Sequence, residues 1–372
     1  MGFLERPQIF KGPSPRGEVE RMCAYKAPLE GRRKLLRLDF NENTIGPSPL
    51  VVKALQNIPP HHISIYPEYD GMREALIANL NSIETSKNLE PEQVGLFNGV
   101  DAAIHATIHA YGDRGEQLIT TSPTFGYYTP CAHMQGMEIV AIEYEGINFK
   151  FPTQKVTVAL LKQKPKLLLI CNPNNPTGTR LEAQKILNFA AIAPNTLVIV
   201  DELYEAFTGD SVLSEVDFDK TPNLLVLRSL SKTAGLAGLR IGFAIGNANV
   251  VERICRVTGP YDVNSFAITA ALAALEDQAY TNDYVEEVLR AREWLKHQLI
   301  TSGKRHHIDG GNYLLIWPDN ESSKVTESLR KEGILVRDMD RKPLLEGALR
   351  ISIGTTDQMK QFWKTFLKVD CN

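Results

Sequence analysis

The stretch Thr196-Leu197-Val198-Ile199-Val200-Asp201-Glu202-Leu203-Tyr204 is apolar from Leu197 to Val200 and then turns abruptly polar. A strand with one wet face alternates apolar and polar residues. A run that is apolar on both faces belongs in a sheet covered on both sides, the parallel sheet of α/β proteins. Leu167-Leu168-Leu169-Ile170-Cys171 and Asn223-Leu224-Leu225-Val226-Leu227 have the same character. Outward from these, strands are expected at 93–97, 117–121, 138–142, 166–171, 197–201, 224–228 and 241–245. Helical patterns lie between most of them and at 49–55 and 71–79. This alternation predicts an α/β fold, with a large domain whose mostly parallel sheet is flanked by helices. After Asn264 the pattern changes. Helices at 267–276, 284–300, 323–332 and 357–368, with strands at 313–317, 334–337 and 348–353, predict a smaller α+β domain. The first 35 residues are polar, carry Pro7, Pro13, Pro15 and Pro28, and read as an arm. The expected division is therefore 1–48 as an N-terminal arm attached to the small domain, 49–265 as the large domain and 266–372 as the small domain.

Composition narrows the function. The 372 residues are 43% hydrophobic, enough for a sizeable core. A net charge of -3 with interspersed signs gives no reason to expect a nucleic-acid or membrane partner. Cys23, Cys131, Cys171, Cys255 and Cys371 are scattered and unpaired in pattern, which fits free thiols in a reducing cytoplasm better than a disulfide framework or a zinc site. Glu5, Arg6 and Lys11 do not form a secretory leader, and no apolar run approaches the length of a membrane span.

The polar residues of interest fall at the carboxyl ends of the expected strands, where open α/β sheets bind ligands. Leu227-Arg228-Ser229-Leu230-Ser231-Lys232 leads from a buried strand to a lysine, and Arg240 follows. A desolvated lysine has a lowered pKa and forms Schiff bases with aldehydes; two hydroxyls and a forked cation suit a phosphate ester. Together they describe a site for pyridoxal phosphate. Asp201, ending its strand, is either a helix cap or the partner of the protonated pyridine nitrogen. Tyr204 is either a core aromatic or a partner of the ring's phenolic oxygen. Asn172-Pro173-Asn174-Asn175-Pro176-Thr177-Gly178 is a rigid turn whose Asn175 amide suits the ring oxygen and a substrate anion. Phe97-Asn98-Gly99-Val100-Asp101-Ala102 reads as strand, glycine and helix start. The first N–H groups there suit phosphate, with Asp101 alternatively a cap. Phe125 is a stacking ring or a core ring. Arg337 and Arg350 interrupt apolar strands and point to anionic substrate groups, unless they are edge charges. His105 and His109 share a helix face without the intervening acid of zinc proteases, so no metal is expected, and His306-His307 reads as a solvated loop. No dinucleotide or nucleoside-triphosphate phosphate loop is present.

In this order and spacing the strings resemble the fold-type-I pyridoxal-phosphate enzymes, and within them the histidinol-phosphate aminotransferase branch of the class I/II aminotransferases. The likeness runs from Asp39-Phe40-Asn41-Glu42-Asn43-Thr44-Ile45-Gly46-Pro47 through Tyr66-Pro67-Glu68-Tyr69 and Asn175-Pro176-Thr177-Gly178 to Asp201–Tyr204, Ser231–Arg240 and Leu349-Arg350-Ile351. The resemblance implies that Lys232 carries the cofactor as a Schiff base. It also implies that Asp201 pairs the pyridine nitrogen and that Tyr204 and Asn175 hold the ring oxygen. Val100, Asp101, Ala102, Ser229, Ser231 and Arg240 would hold the phosphate, and Phe125 would stack on the ring. Tyr66 would reach the neighbouring subunit's cofactor in a homodimer. Arg350, Arg337, Asn175, Tyr25 and Gly46 would meet the substrate. Two positions depart from the family's habit: Ala102 stands where an acid is common, and Phe125 where tyrosine is usual.

The expected activity is transfer of an amino group between an amino acid or phosphorylated amine, histidinol-phosphate-like, and a 2-oxo acid. The alternative is elimination, cyclisation or decarboxylation of a cationic amino acid such as a hydroxylated arginine. Asp262 and the acids Glu18, Glu20 and Glu30 of the arm would favour that substrate. A purely regulatory cofactor-binding role would need a DNA-binding module, for which the arm is too short.

Overall fold

The computed structural model describes residues 12–22, 31–83 and 88–370. Its strands are β1 (Leu36–Leu38), β2 (Val94–Phe97), β3 (Gln117–Ser122), β4 (Glu138–Glu143), β5 (Leu167–Cys171), β6 (Leu197–Asp201), β7 (Leu224–Ser229), β8 (Gly242–Gly246), β9 (His306–His307), β10 (Tyr313–Ile316), β11 (Ile334–Asp338) and β12 (Leu349–Ser352). Seven form one sheet in the order β2-β8-β7-β6-β5-β3-β4. β7, β6, β5, β3 and β4 run parallel, and β8 runs antiparallel to both of its neighbours.

The doubly apolar runs explain this sheet. Every residue of β5 and β6 is buried. Leu168, Ile170, Val198 and Val200 enter one apolar cluster, while Leu167, Leu169, Leu197 and Ile199 enter another. Successive side chains point to opposite faces, so a central strand of an α/β sheet needs apolar residues at every position. Helix Val100–Tyr111 covers the second face with Val100, Ala103 and Ile104. Helices Thr153–Gln163 and Ala183–Ile192 cover the first with Val156, Ile186 and Phe189. The edge strand β4 reads Glu-Ile-Val-Ala-Ile-Glu, with both glutamates exposed, which discourages pairing with another chain.

The second sheet has the order β1-β11-β12-β10-β9. The long helix Gln278–Thr301 and the last helix, Thr356–Asp370, cover it through Val288, Leu295, Phe362 and Phe366. The long helix starts earlier than its periodicity suggests, because the Asp277 carboxylate accepts from Tyr280 N and caps it. Helix Ser265–Glu276 lies at the start of the expected small domain, yet Ala267, Ala270 and Ala271 pack into the large sheet's core.

Three expectations are corrected. Leu36–Leu38, inside the 1–48 segment and not expected as a strand, is a strand paired parallel with β11. His306-His307, expected as a solvated loop, is half-buried and pairs with β10. Part of the arm is packed: Arg16 donates to the Met134 carbonyl, and Glu18 pairs with Arg114 at 2.5 Å. No described helix is long and apolar enough to cross a membrane.

Candidate active site

The carboxyl ends of β5, β6 and β7 open onto a cavity of about 130 Å³ lined by Val100, Asp101, Phe125, Asp201, Ser229 and Lys232, among others. A wider cavity of about 400 Å³ adjoins it and shares Asp101, Phe125, Asn175, Tyr204 and Lys232. It extends to Arg337, Lys342 and Arg350 of the small sheet's side.

Lys232 lies just beyond β7 and is half-buried. Its Nζ donates to the Phe40 carbonyl at 3.0 Å. Burial first, and then the nearby Arg350 charge, push its pKa down to about 8. Asp201, at the end of β6, is 2% exposed. Its carboxylate accepts from the Tyr128 hydroxyl at 2.6 Å and from Leu203 N at 3.2 Å. Burial raises its pKa to about 6, against the lowering effect of the Tyr128 bond. Among the described residues no cation forms an ion pair with it. Below these groups Arg228 donates to Glu202 at 3.0 Å and to Ser211 at 2.7 Å, and it also pairs with Glu205. That buried network ties the segment after β6 to the end of β7, and so fixes Asp201 relative to Ser229.

At the other end of the small cavity, helix Val100–Tyr111 starts after Gly99, whose φ is 79°. A Cβ there would lie 2.5 Å from Arg240 Nη2, so the glycine lets the guanidinium cross the helix start. Arg240 pairs with Asp101 at 2.7 Å. The cap is thus Gly99, and Asp101 is the arginine's partner. Ser229 Oγ lies 2.7 Å from Ser231 Oγ and donates to the Ile241 carbonyl. Val100 and Asp101 reach the cavity. Ala102, in contrast, already donates its backbone N–H to Gly99 O and is not part of the lining.

Toward the small domain the Tyr204 hydroxyl accepts from Asn175 Nδ2 and from Asn41 Nδ2, each at 3.2 Å. Asn175 Oδ1 in turn accepts from Arg350 Nη1 at 2.6 Å, and Arg350 Nη2 donates to the Asp39 carbonyl at 2.5 Å. Arg350 Nε is buried without a partner. Arg337 and Arg350 are direct register partners on β11 and β12. Like charges opposite one another on adjacent strands destabilise a sheet unless an anion lies between them. Lys342 adds a third cation, whose pKa is lowered by burial, then by Arg337 and Arg350. No described carboxylate forms an ion pair with any of the three.

Several candidates lie elsewhere. Gly46 packs against Gly235 and is not part of either cavity lining. Tyr66 is 71% exposed and stacks on Tyr261, ring centroids 4.2 Å apart, and lines neither of these two cavities. Tyr25 and Glu30 lie outside the described residues. Asp262 is exposed, and its carboxylate lies beside Gly259. Sequence reasoning missed Asn41, Tyr128 and Lys342. Tyr128 stood in a string read only for Phe125, and Asn41 in one read only for Gly46. Lys342 carries no local signal.

The residues present fit pyridoxal phosphate. Asp201 is a buried carboxylate with no paired cation among the described residues, Lys232 is an amine with a depressed pKa, and a helix start, two hydroxyls and an arginine converge on one end of the cavity. Phe125 forms a wall, edge-on to Tyr128 at 5.4 Å.

Comparison with known proteins agrees with this geometry. The sequence profile of the family described as aminotransferase class I and II matches residues 33–366. A dihydroxyacetone phosphate transaminase of Campylobacter jejuni is 34% identical over 340 residues, covering 90% of each chain. A histidinol-phosphate aminotransferase of Mannheimia succiniciproducens is 32% identical, covering 94% of this chain and 96% of its own. Among solved structures, histidinol-phosphate aminotransferase from Sinorhizobium meliloti, in complex with pyridoxal-5'-phosphate, superposes with a TM-score of 0.84. It is 21% identical and covers 96% of this chain and 97% of its own.

Proposed function

The chain belongs to the aminotransferase class I and II family and is a pyridoxal-phosphate-dependent transaminase; from that premise we propose that it moves an amino group between a phosphorylated amine and a 2-oxo acid. The observation that carries the substrate class is the facing pair Arg337 and Arg350 with Lys342 beside them, across the cavity from Lys232. A single carboxylate leaves part of that charge unmatched, whereas a phosphate monoester presents about two negative charges and several acceptors. Both relatives named above act, by their names, on a phosphate ester. A guanidinium side chain would be repelled here, so cyclisation or decarboxylation of a cationic amino acid is not favoured. Asp262 lies off the cavity, and Glu18 is spent on Arg114.

Bound pyridoxal phosphate supplies an aldehyde that captures amines and a ring that accepts the electron pair left when a Cα proton is removed. In this reading Lys232 Nζ would hold the cofactor through its aldehyde and, as a free amine, would move the proton at the substrate's Cα. Its depressed pKa keeps a useful fraction neutral near pH 8. Asp201 holds the proton on the pyridine nitrogen, and Tyr128 orients its carboxylate. Tyr204 and Asn175 serve the ring oxygen. Val100 and Asp101, through backbone N–H groups, together with Ser229, Ser231 and Arg240, bind the phosphate. Phe125 covers the ring, and Arg350, Arg337 and Lys342 bind the substrate anion.

The reading extends to organisation. The division into 1–48, 49–265 and 266–372 is supported by the two separate sheets, with helix Ser265–Glu276 packed on the large sheet's side of its boundary. A homodimer with Tyr66 reaching the neighbouring site is supported by the exposed cluster of Ile63, Ile65 and Tyr66. Residence in the cytoplasm is supported by the scattered cysteines.

The test is turnover with 2-oxoglutarate and either histidinol phosphate or histidinol. Glutamate should form in step with oxo product, and the phosphorylated donor should be preferred by at least about a hundredfold in kcat/KM. Equal use of both donors would overturn the substrate class, and amine consumption without 2-oxoglutarate would overturn net transamination.

A further inference from the structure

We propose that Asn41 is a positioning residue of this site: its side-chain amide, delivered by the N-terminal segment, turns the Tyr204 proton toward the cofactor's ring oxygen. The proposal rests on the reading that Tyr204 serves that oxygen. The segment 39–43 threads between the two sheets and touches the site repeatedly. The Asp39 carbonyl accepts from Arg350, the Phe40 carbonyl from Lys232, and Asn43 Nδ2 donates to the Thr233 carbonyl at 2.8 Å. Asn41 sits at the centre, fully buried and in the left-handed region with φ 55°. Asparagine tolerates that conformation better than most residues with a side chain.

The direction of its amide is fixed by its neighbours. Ser352 Oγ accepts from Asn41 N at 2.8 Å, so its own hydrogen is available to Asn41 Oδ1, also at 2.8 Å. Asn312 Nδ2 holds the Asn41 carbonyl at 3.2 Å. With Oδ1 committed to Ser352, Nδ2 faces Tyr204 and donates. The Tyr204 oxygen then accepts two amide N–H groups, from Asn41 and Asn175, and its two acceptor positions are filled. The hydroxyl hydrogen has neither amide as acceptor and is left to face the cavity that Tyr204 lines together with Lys232. Asn175 alone does not enforce this, since it leaves one acceptor position on the tyrosine open. Charged or titratable groups from the other packed elements are Arg350 on β12, Asp201 on β6, Lys232 beyond β7, Cys171 on β5 and Tyr313 on β10. Arg350 and Asn41 favour an electron-rich tyrosine oxygen, while burial opposes it.

A donor aimed at the ring oxygen stabilises negative charge there and lowers the pH at which the bound cofactor loses its proton. The experiment is a pH titration of the visible absorbance of the holoenzyme. Asn41→Asp replaces the donor with an acceptor and draws the tyrosine proton away. Ser352→Ala leaves Asn41 intact but releases its amide. The midpoint should rise by about one pH unit in Asn41→Asp and by less in Ser352→Ala. In the Tyr204→Phe background neither change should move it further. If Tyr204→Phe leaves the wild-type midpoint in place, the underlying reading of Tyr204 fails. If Tyr204→Phe moves it while Asn41→Asp and Ser352→Ala do not, the role of Asn41 fails. Lower thermal stability with an unchanged midpoint would make Asn41 purely structural and would also overturn the proposal.

Discussion

Lys232 costs the folded chain stability, and the cost has a pH signature. Its pKa falls from 10.5 to about 8, so the unfolded chain holds the proton more tightly. The penalty is present in full below about pH 8 and fades as pH rises from about 8 toward 10.5. Apo Lys232→Met should therefore be more stable than apo wild type by about 1–2 kcal/mol at pH 7, discounting the shift for partial exposure. The difference should shrink above pH 8, as denaturant melts at several pH values would show. The same shift predicts that cofactor uptake by the apo chain speeds up roughly tenfold per pH unit below about 8 and levels off above it, because the neutral amine attacks. A rate flat from pH 6 to 9 would contradict it. Lys232, Asp201, Asn175 and Arg240 were legible in the sequence because each breaks a local pattern, at the end of an apolar strand or in a turn of defined chemistry. Asn41 was not. Its partners Tyr204 and Ser352 lie 163 and 311 residues away, and no spacing rule reaches that far.

The elements place these residues through backbone contacts that leave no room for change. Gly242 on β8 faces the helix start: a Cβ there would lie 2.5 Å from both Gly99 C and Val100 N. These are backbone atoms and cannot swing aside. Gly242→Ala should push the helix start out of the phosphate end, weaken cofactor affinity at least about tenfold and destabilise the fold by about 1–3 kcal/mol. Cofactor titration and thermal melts of the apo form would separate the two effects, and unchanged affinity would show that the helix start does not hold the phosphate. β11 and β12 give the opposite case, an arrangement that needs a ligand. Lys342→Met should reduce kcat/KM for a phosphorylated donor by about tenfold and leave a plain monocarboxylate amino acid nearly untouched, read by steady-state kinetics on both. At this scale the long strands were legible because apolar residues at every position mean burial on both faces. β1 and β9, of 3 and 2 residues, are too short for any periodicity and form only because β11 and β10 offer open edges.

At the scale of the molecule, an exposed apolar cluster stands near the start of the large domain. Ile63, Ile65 and Tyr66 are 68%, 57% and 71% exposed, and Tyr66 rests on Tyr261 rather than in a core. Neighbouring large apolar side chains in water favour association. The proposed homodimer would cover this cluster, and in that proposal the Tyr66 of each subunit serves the other's cavity. The overall architecture was legible from the alternation of elements, whereas assembly entered only through the family resemblance, because an exposed tyrosine looks the same in sequence whether it meets solvent or a second subunit. Mixing two inactive proteins decides the matter. Lys232→Ala lacks the amine, and Tyr66→Ala lacks the tyrosine. If Tyr66 acts across the interface, a mixed dimer carries both defects at one site and neither at the other. Half of a randomly mixed population is heterodimer, so about a quarter of wild-type activity should return after subunit exchange. If Tyr66 serves its own chain, every site in every dimer stays defective and no activity returns. Ile65→Asp, by charging the same cluster, should make activity depend on protein concentration in the range where sedimentation shows dissociation. A monomer with full activity at every concentration would remove the interface from the site altogether.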